Sequence, residues 1–119
     1  MLITRGRYET IGDSTNNAPK LTSPSVTSFK LHPNYPNPFN PLTRIAFDSP
    51  IEGRVTLTIY DMLGREVARL FDGEITAGSH SYSWDASNVS SGMYFCHYIV
   101  TDTYGKRKHS EIQKLILIR

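Results

Sequence analysis

The stretch Asn34-Tyr35-Pro36-Asn37-Pro38-Phe39-Asn40-Pro41 limits what this chain can fold into more than any other. Three of the chain's seven prolines lie within six residues there, separated by asparagines and one aromatic ring. Each proline fixes φ, removes a backbone donor and pushes the preceding residue toward extended geometry. The segment is therefore expected to be stiff, extended and irregular, with few ladder bonds of its own. Asparagine side chains can supply the missing bonds locally, through Asx-type turns. Tyr35 and Phe39 are expected to pin it to the next segment, in which Thr43, Ile45 and Phe47 recur at alternate positions. The reading is a lid that closes one end of a β-sandwich and feeds its first long strand.

Alternation continues beyond the lid. Thr43 to Phe47 reads as a strand, and Val55-Thr56-Leu57-Thr58-Ile59-Tyr60 is the clearest one, with Val55, Leu57 and Ile59 on one face. Asp61-Met62-Leu63-Gly64 is a turn, with glycine where positive φ is tolerated. Glu66 to Phe71 forms the next strand, and Asp72-Gly73 and Ala77-Gly78 are expected to bracket a loop. His80 to Asp85 places Tyr82 and Trp84 on one face, with Trp84 the central core aromatic. Met93 to Thr101 carries Tyr94, Cys96, Tyr98 and Val100 opposite Phe95, His97 and Ile99, as a central strand would. Asp102-Thr103-Tyr104-Gly105 turns the chain into a last strand running through Ile112 to Ile118. Seven Tyr, five Phe and scattered Val, Ile and Thr favour strands over helices. Residues 31–119 are thus expected to form an all-β, immunoglobulin- or fibronectin-like two-sheet sandwich of about seven strands.

With 119 residues, one domain with a real core is the expectation. Its single cysteine, Cys96, excludes an internal disulfide. The formal net charge of +2 is already contained in residues 1–30, which hold Arg5, Arg7, Lys20 and Lys30 against Glu9 and Asp13. A balanced globular part lacks the concentrated basic field that phosphate backbones require, so nucleic acid is not an expected partner. The Lys106-Arg107-Lys108-His109 cluster lies beside a turn and reads as a solvated hairpin end that discourages edge pairing. No apolar run approaches the ~18–20 residues of a membrane span. The first residues also lack the apolar core of a signal peptide.

Residues 1–30 read as an N-terminal extension or linker, polar around Gly12 to Pro19. Alone they bury too little to offset their ordering entropy. Their apolar pieces, with Leu2, Ile3, Val26 and Phe29, make them a candidate strand donor to the sheet edge of another copy.

Catalytic chemistry finds little support. His32, His80, His97 and His109 show no metal-ligand spacing. Ser79 and His80 are strand neighbours, so they point to opposite faces and cannot form a nucleophile–base pair. Nothing fixes the separation of Glu66 and Glu74 as paired carboxylates. Asp61, Asp85 and Asp102 stand one per turn, short of the roughly six to eight oxygens of a calcium site. Neither an enzyme nor a cofactor is expected. A carbohydrate-binding module built on Trp84 is a lesser alternative, set against its core-like alternation.

Taken together, Asn34 to Pro41, then Val55 to Asp61 with Gly64-Arg65-Glu66-Val67, resemble the C-terminal sorting domain (type A) of type IX secretion cargo. Gly78, His80, Trp84-Asp85 and Ser91-Gly92-Met93-Tyr94-Phe95 are similar to its second half, and Lys114 to Arg119 to its closing strand. The resemblance covers about residues 31–119; similar modules occur in the flagellar hook-capping family. It implies an immunoglobulin-like domain that is secreted, read by the outer-membrane secretion machinery and delivered to the bacterial cell surface, with no catalysis of its own. The residues carrying the motif are Asn34 to Pro41, Tyr60, Asp61, Gly64, Trp84, Asp85, Gly92 and Tyr94. His32-Pro33 departs from the family's glutamine-type residue. Residues 1–30 supply neither cargo nor signal, so the expectation is a fragment, a processed form, or a signal lying outside this sequence. The alternative function is a structural subunit of an extracellular filament, assembled from copies of itself by strand exchange through the extension.

Overall fold

The computed structural model describes residues 26–119, and among them there is no helix. Seven strands run in order: β1 (Lys30–Leu31), β2 (Leu42–Ser49), β3 (Gly53–Tyr60), β4 (Glu66–Ile75), β5 (Gly78–Asp85), β6 (Gly92–Thr101) and β7 (Arg107–Leu117). They form two antiparallel sheets, one ordered β1-β2-β5 and the other β4-β3-β6-β7. This is the two-sheet, all-β architecture expected from the alternation.

Burial follows the pleat. Ile45 and Phe47 of β2, Val55, Leu57 and Ile59 of β3, and Cys96, Tyr98 and Val100 of β6 have no exposed surface at all. At the centre the Phe47 and Tyr98 rings lie 4.6 Å apart across the sheets. The Tyr98 hydroxyl donates to the Asp48 carbonyl at 2.7 Å, which satisfies its one polar atom in the core. Burial pushes the Cys96 thiol up to about 12, so it sits in the core as a neutral, unreactive side chain.

Two elements run furthest beyond the bounds their sequence suggests. Asp72-Gly73 does not open a loop, because β4 continues to Ile75, pairing Gly73 with Val55 and Asp72 with Thr56. An Arg54–Asp72 ion pair of 2.6 Å and the Phe71 ring packed against Gly73 hold this turn-like dipeptide in the ladder. The last strand begins at Arg107, five residues before Ile112. Its polar first half is partnered by residues 29–31: the Phe29 ring stacks on His109 at 5.0 Å, and Leu31 N–H donates to Glu111 Oε1 at 2.9 Å. Of the four residues singled out as strand donors, Leu2 and Ile3 lie outside the described residues, whereas Val26 and Phe29 lie within them.

The β3–β4 and β6–β7 hairpins close with the same five-residue turn, Asp-x-x-Gly followed by Arg or Lys. Asp61 Oδ1 accepts the N–H groups of Leu63 and Arg65, at 2.9 and 3.0 Å. Asp102 Oδ1 accepts those of Tyr104 and Lys106, both at 2.9 Å. Gly64 and Gly105 take φ of +81° and +84°, where a Cβ is disfavoured. These bonds lower both carboxyls below the ordinary value of 3.8, led by the backbone N–H of Arg65 for Asp61 and of Lys106 for Asp102.

The folded state keeps these two groups as carboxylates while the unfolded chain takes up protons first. Their contribution to stability is therefore complete above pH 3.8 and is lost as the pH falls through the lower folded values. In acid-induced unfolding, Asp61→Asn combined with Asp102→Asn, which keep the accepting oxygen, should flatten that limb of the stability curve. Gly53 tests the packing instead. A Cβ there would sit 2.3 Å from the Thr101 carbonyl oxygen, so Gly53→Ala should cost about 1–3 kcal/mol in urea unfolding.

Candidate functional site

The proline segment lies across one end of the sandwich, over the open side between the two sheets. On the first sheet, Tyr35 and Arg44 exchange backbone bonds of 3.0 and 2.8 Å, and His32 N–H donates to the Ala46 carbonyl at 2.9 Å. These contacts continue β1 along the edge of β2. On the second sheet, Phe39 N–H donates to the Ile116 carbonyl at 2.9 Å, and Ile118 N–H donates to the Phe39 carbonyl at 3.0 Å. Asn37 acts as a surrogate peptide on the same edge: its Oδ1 accepts Ile116 N–H at 3.0 Å, and its Nδ2 approaches the Lys114 carbonyl at 3.4 Å. Within five residues the chain passes from an edge of one sheet to an edge of the other. The peptides before Pro36, Pro38 and Pro41 are all cis.

Side chains divide by role. Phe39 is 2% exposed and stands 5.6 Å from Trp84, which meets the Tyr94 ring edge-on at 5.4 Å. Trp84 is itself 5% exposed, so its indole fills the core and offers no platform for a sugar ring. Tyr94 O–H donates to the Ser90 carbonyl at 2.6 Å, tying this aromatic cluster to the loop before β6. Asn34, 4% exposed, donates through Nδ2 to Thr43 Oγ1 at 3.0 Å and to the Pro36 carbonyl at 3.2 Å. Thr43 O–H donates to that same carbonyl at 2.8 Å, which closes a small polar ring under the lid. Asn34 Oδ1 is buried with no partner among the described residues. Tyr35, by contrast, is 81% exposed, and Pro36, Pro38 and Asn40 also face solvent.

The remaining motif residues gather at the same end. Gly92 pairs with Leu117, and Tyr60 with Phe95. The Asp61–Gly64 turn and the Ser90–Tyr94 stretch line a shallow cleft of about 210 Å³. Asp85 Oδ1 accepts from the backbone and side chain of Ser87, which lowers its carboxyl, with the charge of Arg119 adding to the effect. Other contributors join them at this end. The Arg119 guanidinium donates to the Ala86 and Val89 carbonyls, and Arg119 N–H donates to Ser91 Oγ at 3.1 Å. Met62 and Leu63 project from the neighbouring turn, exposed despite their apolar character. The closing-strand resemblance takes in Arg119 but not its partners, and the two-residue turn tip looks like ordinary surface until the fold brings it beside the lid.

The sequence profile of the secretion system C-terminal sorting domain matches residues 34–117, which takes in the proline segment, both hairpins and the closing strand. The chain belongs to that family. As a sorting domain of the type IX pathway it joins a group of exported modules, and Asn34, Phe39, Trp84 and Tyr94 are buried in it. No curated protein matches the chain. Among solved structures, CopC from Methylosinus trichosporium OB3b is similar at 14% identity, over 77% of this chain and 97% of that one, with a TM-score of 0.40. Among the described residues, no cluster of three or more His, Cys, Asp or Glu side chains could hold a metal ion.

Three substitutions separate the roles within the sorting domain's lid, read by urea unfolding. Phe39→Ala empties a core site and should cost about 3–5 kcal/mol. Asn37→Ala removes exposed hydrogen bonds only and should cost about 1 kcal/mol. Tyr35→Ser, on the solvent side, should stay within about 0.5 kcal/mol of the parent.

Proposed function

We propose that this domain is a non-catalytic address for secretion. The outer-membrane type IX machinery reads it and delivers the protein to which it is joined to the cell surface. The observation that supports the reading most is that the family motif and the last strand form a single built end. Asn37 and Phe39 bond directly to Lys114, Ile116 and Ile118, and Arg119 is tied to the Ala86–Ser91 loop. A receptor meeting that end reads the motif, the last strand and the intervening loop together, and does so only when the domain is folded. The apolar tips Met62 and Leu63, 68% and 77% exposed beside the cleft, provide apolar surface that a partner can cover.

No observation among the described residues favours a filament assembled by strand donation, because Phe29 is engaged by His109 of its own sandwich.

The test is export of a reporter fused ahead of this chain in a bacterium carrying the machinery. The reporter should appear outside the cell. Met62→Glu with Leu63→Glu should retain the fold, by unchanged circular dichroism, while lowering export at least tenfold. A folded fusion that stays in the periplasm would overturn the sorting role. Undiminished export of the double variant would overturn the assignment of the turn tip to the recognition surface.

A further inference from the structure

The outer faces of the two sheets are unlike. On the β1-β2-β5 sheet that face carries Arg44, Asp48, Ser79, Ser81 and Ser83, joined by an Arg44–Ser81 bond of 2.9 Å and a Ser79–Asp48 bond of 2.7 Å. Such a face is suited to water. On the β4-β3-β6-β7 sheet, β6 turns Cys96, Tyr98 and Val100 into the core and Met93, Phe95 and Ile99 outward. An antiparallel sheet that meets water on one side alternates apolar with polar residues, and β6 does not. Tyr60, Ile112 and Ile116 flank those three side chains on the neighbouring strands, and Ile112 is 62% exposed. Contiguous apolar surface of this kind marks an interaction site. At its centre His97 Nε2 bonds the Ser110 hydroxyl at 2.7 Å. Burial, together with the Arg107 charge, holds the His97 imidazole below its ordinary value of 6.5, so it interrupts the patch with no charge at neutral pH.

The patch carries opposite charge on its two flanks. The ladder registers place Glu66, Arg69, Asp72 and Glu74 on the β4 side, three carboxylates against one guanidinium. They place Lys114 and Arg107 on the β7 side. Across the four strands one row runs Glu66-Tyr60-Phe95-Lys114, and another runs Glu74-Arg54-Thr101-Arg107. Each row begins in a carboxylate and ends in a cation. Arg54 and Arg69 are engaged within the same copy, Arg54 by Asp72 and Arg69 by both Glu66 and Asp72.

We infer that this face packs on the same face of a second copy of the chain, about a twofold axis that runs along the strands. That axis lays β4 of each copy over β7 of the other. Lys114 then meets Glu66 of the second copy, Arg107 meets its Glu74, and Phe95 packs on its Tyr60 near the centre. Ser110 comes to its Asp72, and Ile112 covers the apolar stem of its Arg69. Aligned sheets cross at about 30°, an offset that lysine and arginine side chains span. The other way to stack the two faces is a twofold across the strands. It sets Lys114 on Arg107 and Glu66 on Glu74, and like charges oppose it. The face thus supplies its own complement, in one orientation, and that charge pattern selects a second copy as the occupant.

Sedimentation velocity on the full chain, from micromolar to near-millimolar concentration at neutral pH and low salt, provides the test. The parent should rise with concentration toward twice the 13.5 kDa chain mass. Ile112→Lys changes a side chain that the monomer leaves exposed and sets a like charge against Arg69 of the second copy. It should raise the dissociation constant about tenfold or more while leaving the circular dichroism spectrum unchanged. Arg107→Glu, which sets a carboxylate against Glu74 of the second copy, should do the same. Adding Glu74→Arg to Arg107→Glu should bring the dissociation constant back to within about threefold of the parent, a rescue that requires those two positions to face each other. On dilution the methyl resonances of Ile99, Ile112 and Ile116 should shift, while those of Ile45 in the core should not. A parent that stays monomeric, a dimer indifferent to Ile112→Lys, or a double variant as weak as Arg107→Glu alone would overturn the inference.

Discussion

The bonds that Tyr35 and Phe39 make to opposite sheets are the constraint on which the rest of this structure depends. A two-sheet sandwich is held across its middle by apolar contact, which has no direction and fixes no edge. Direction comes from hydrogen bonds, and the segment between His32 and Phe39 supplies them to the β2 edge and then to the β7 edge. Three prolines keep the crossing stiff, and Asn37 restores to the second sheet the backbone bonds that prolines cannot make. Phe39 then inserts under the crossing against Trp84, so the lid is anchored by apolar burial as well as by hydrogen bonds.

This arrangement links sequence to function in a sorting domain. Of the residues read from the sequence as the family motif, Asn34, Phe39, Trp84 and Tyr94 are buried and pack within the end of the sandwich. What a partner can touch is the surface they support, namely Tyr35, the exposed prolines, the Met62–Leu63 tip and the loop fastened by Arg119. A motif can thus mark a secretion signal without its buried residues touching the machinery.

Much of the fold is legible in the sequence because the pleat has a period of two and the core is apolar. Val55-Leu57-Ile59 and Tyr94-Cys96-Tyr98-Val100 lie on the faces their alternation indicates. The misplaced boundaries share one physical cause. Asp72-Gly73 and Arg107 to Ser110 have the composition of turns, yet partners remote in sequence hold the ladder through them: Arg54 and Val55 for the first, Phe29 and Leu31 for the second. Tertiary pairing overrides local propensity there. The lid is legible as a stiff segment, but its two destinations are not. Nothing in Asn37 or Phe39 says that their partners are Lys114, Ile116 and Ile118, because that contact spans most of the domain.

Native-state amide exchange at Arg44 and Ile118 tests the central claim most directly. Arg44 N–H donates to the Tyr35 carbonyl on one sheet, and Ile118 N–H donates to the Phe39 carbonyl on the other. If the segment is one staple, both amides should be protected, and both should open with the same free energy as urea is raised below the unfolding transition. Exchange of Ile118 at the unprotected rate, while Arg44 keeps the protection of the core strands, would show that the two sheets are not fastened by this segment.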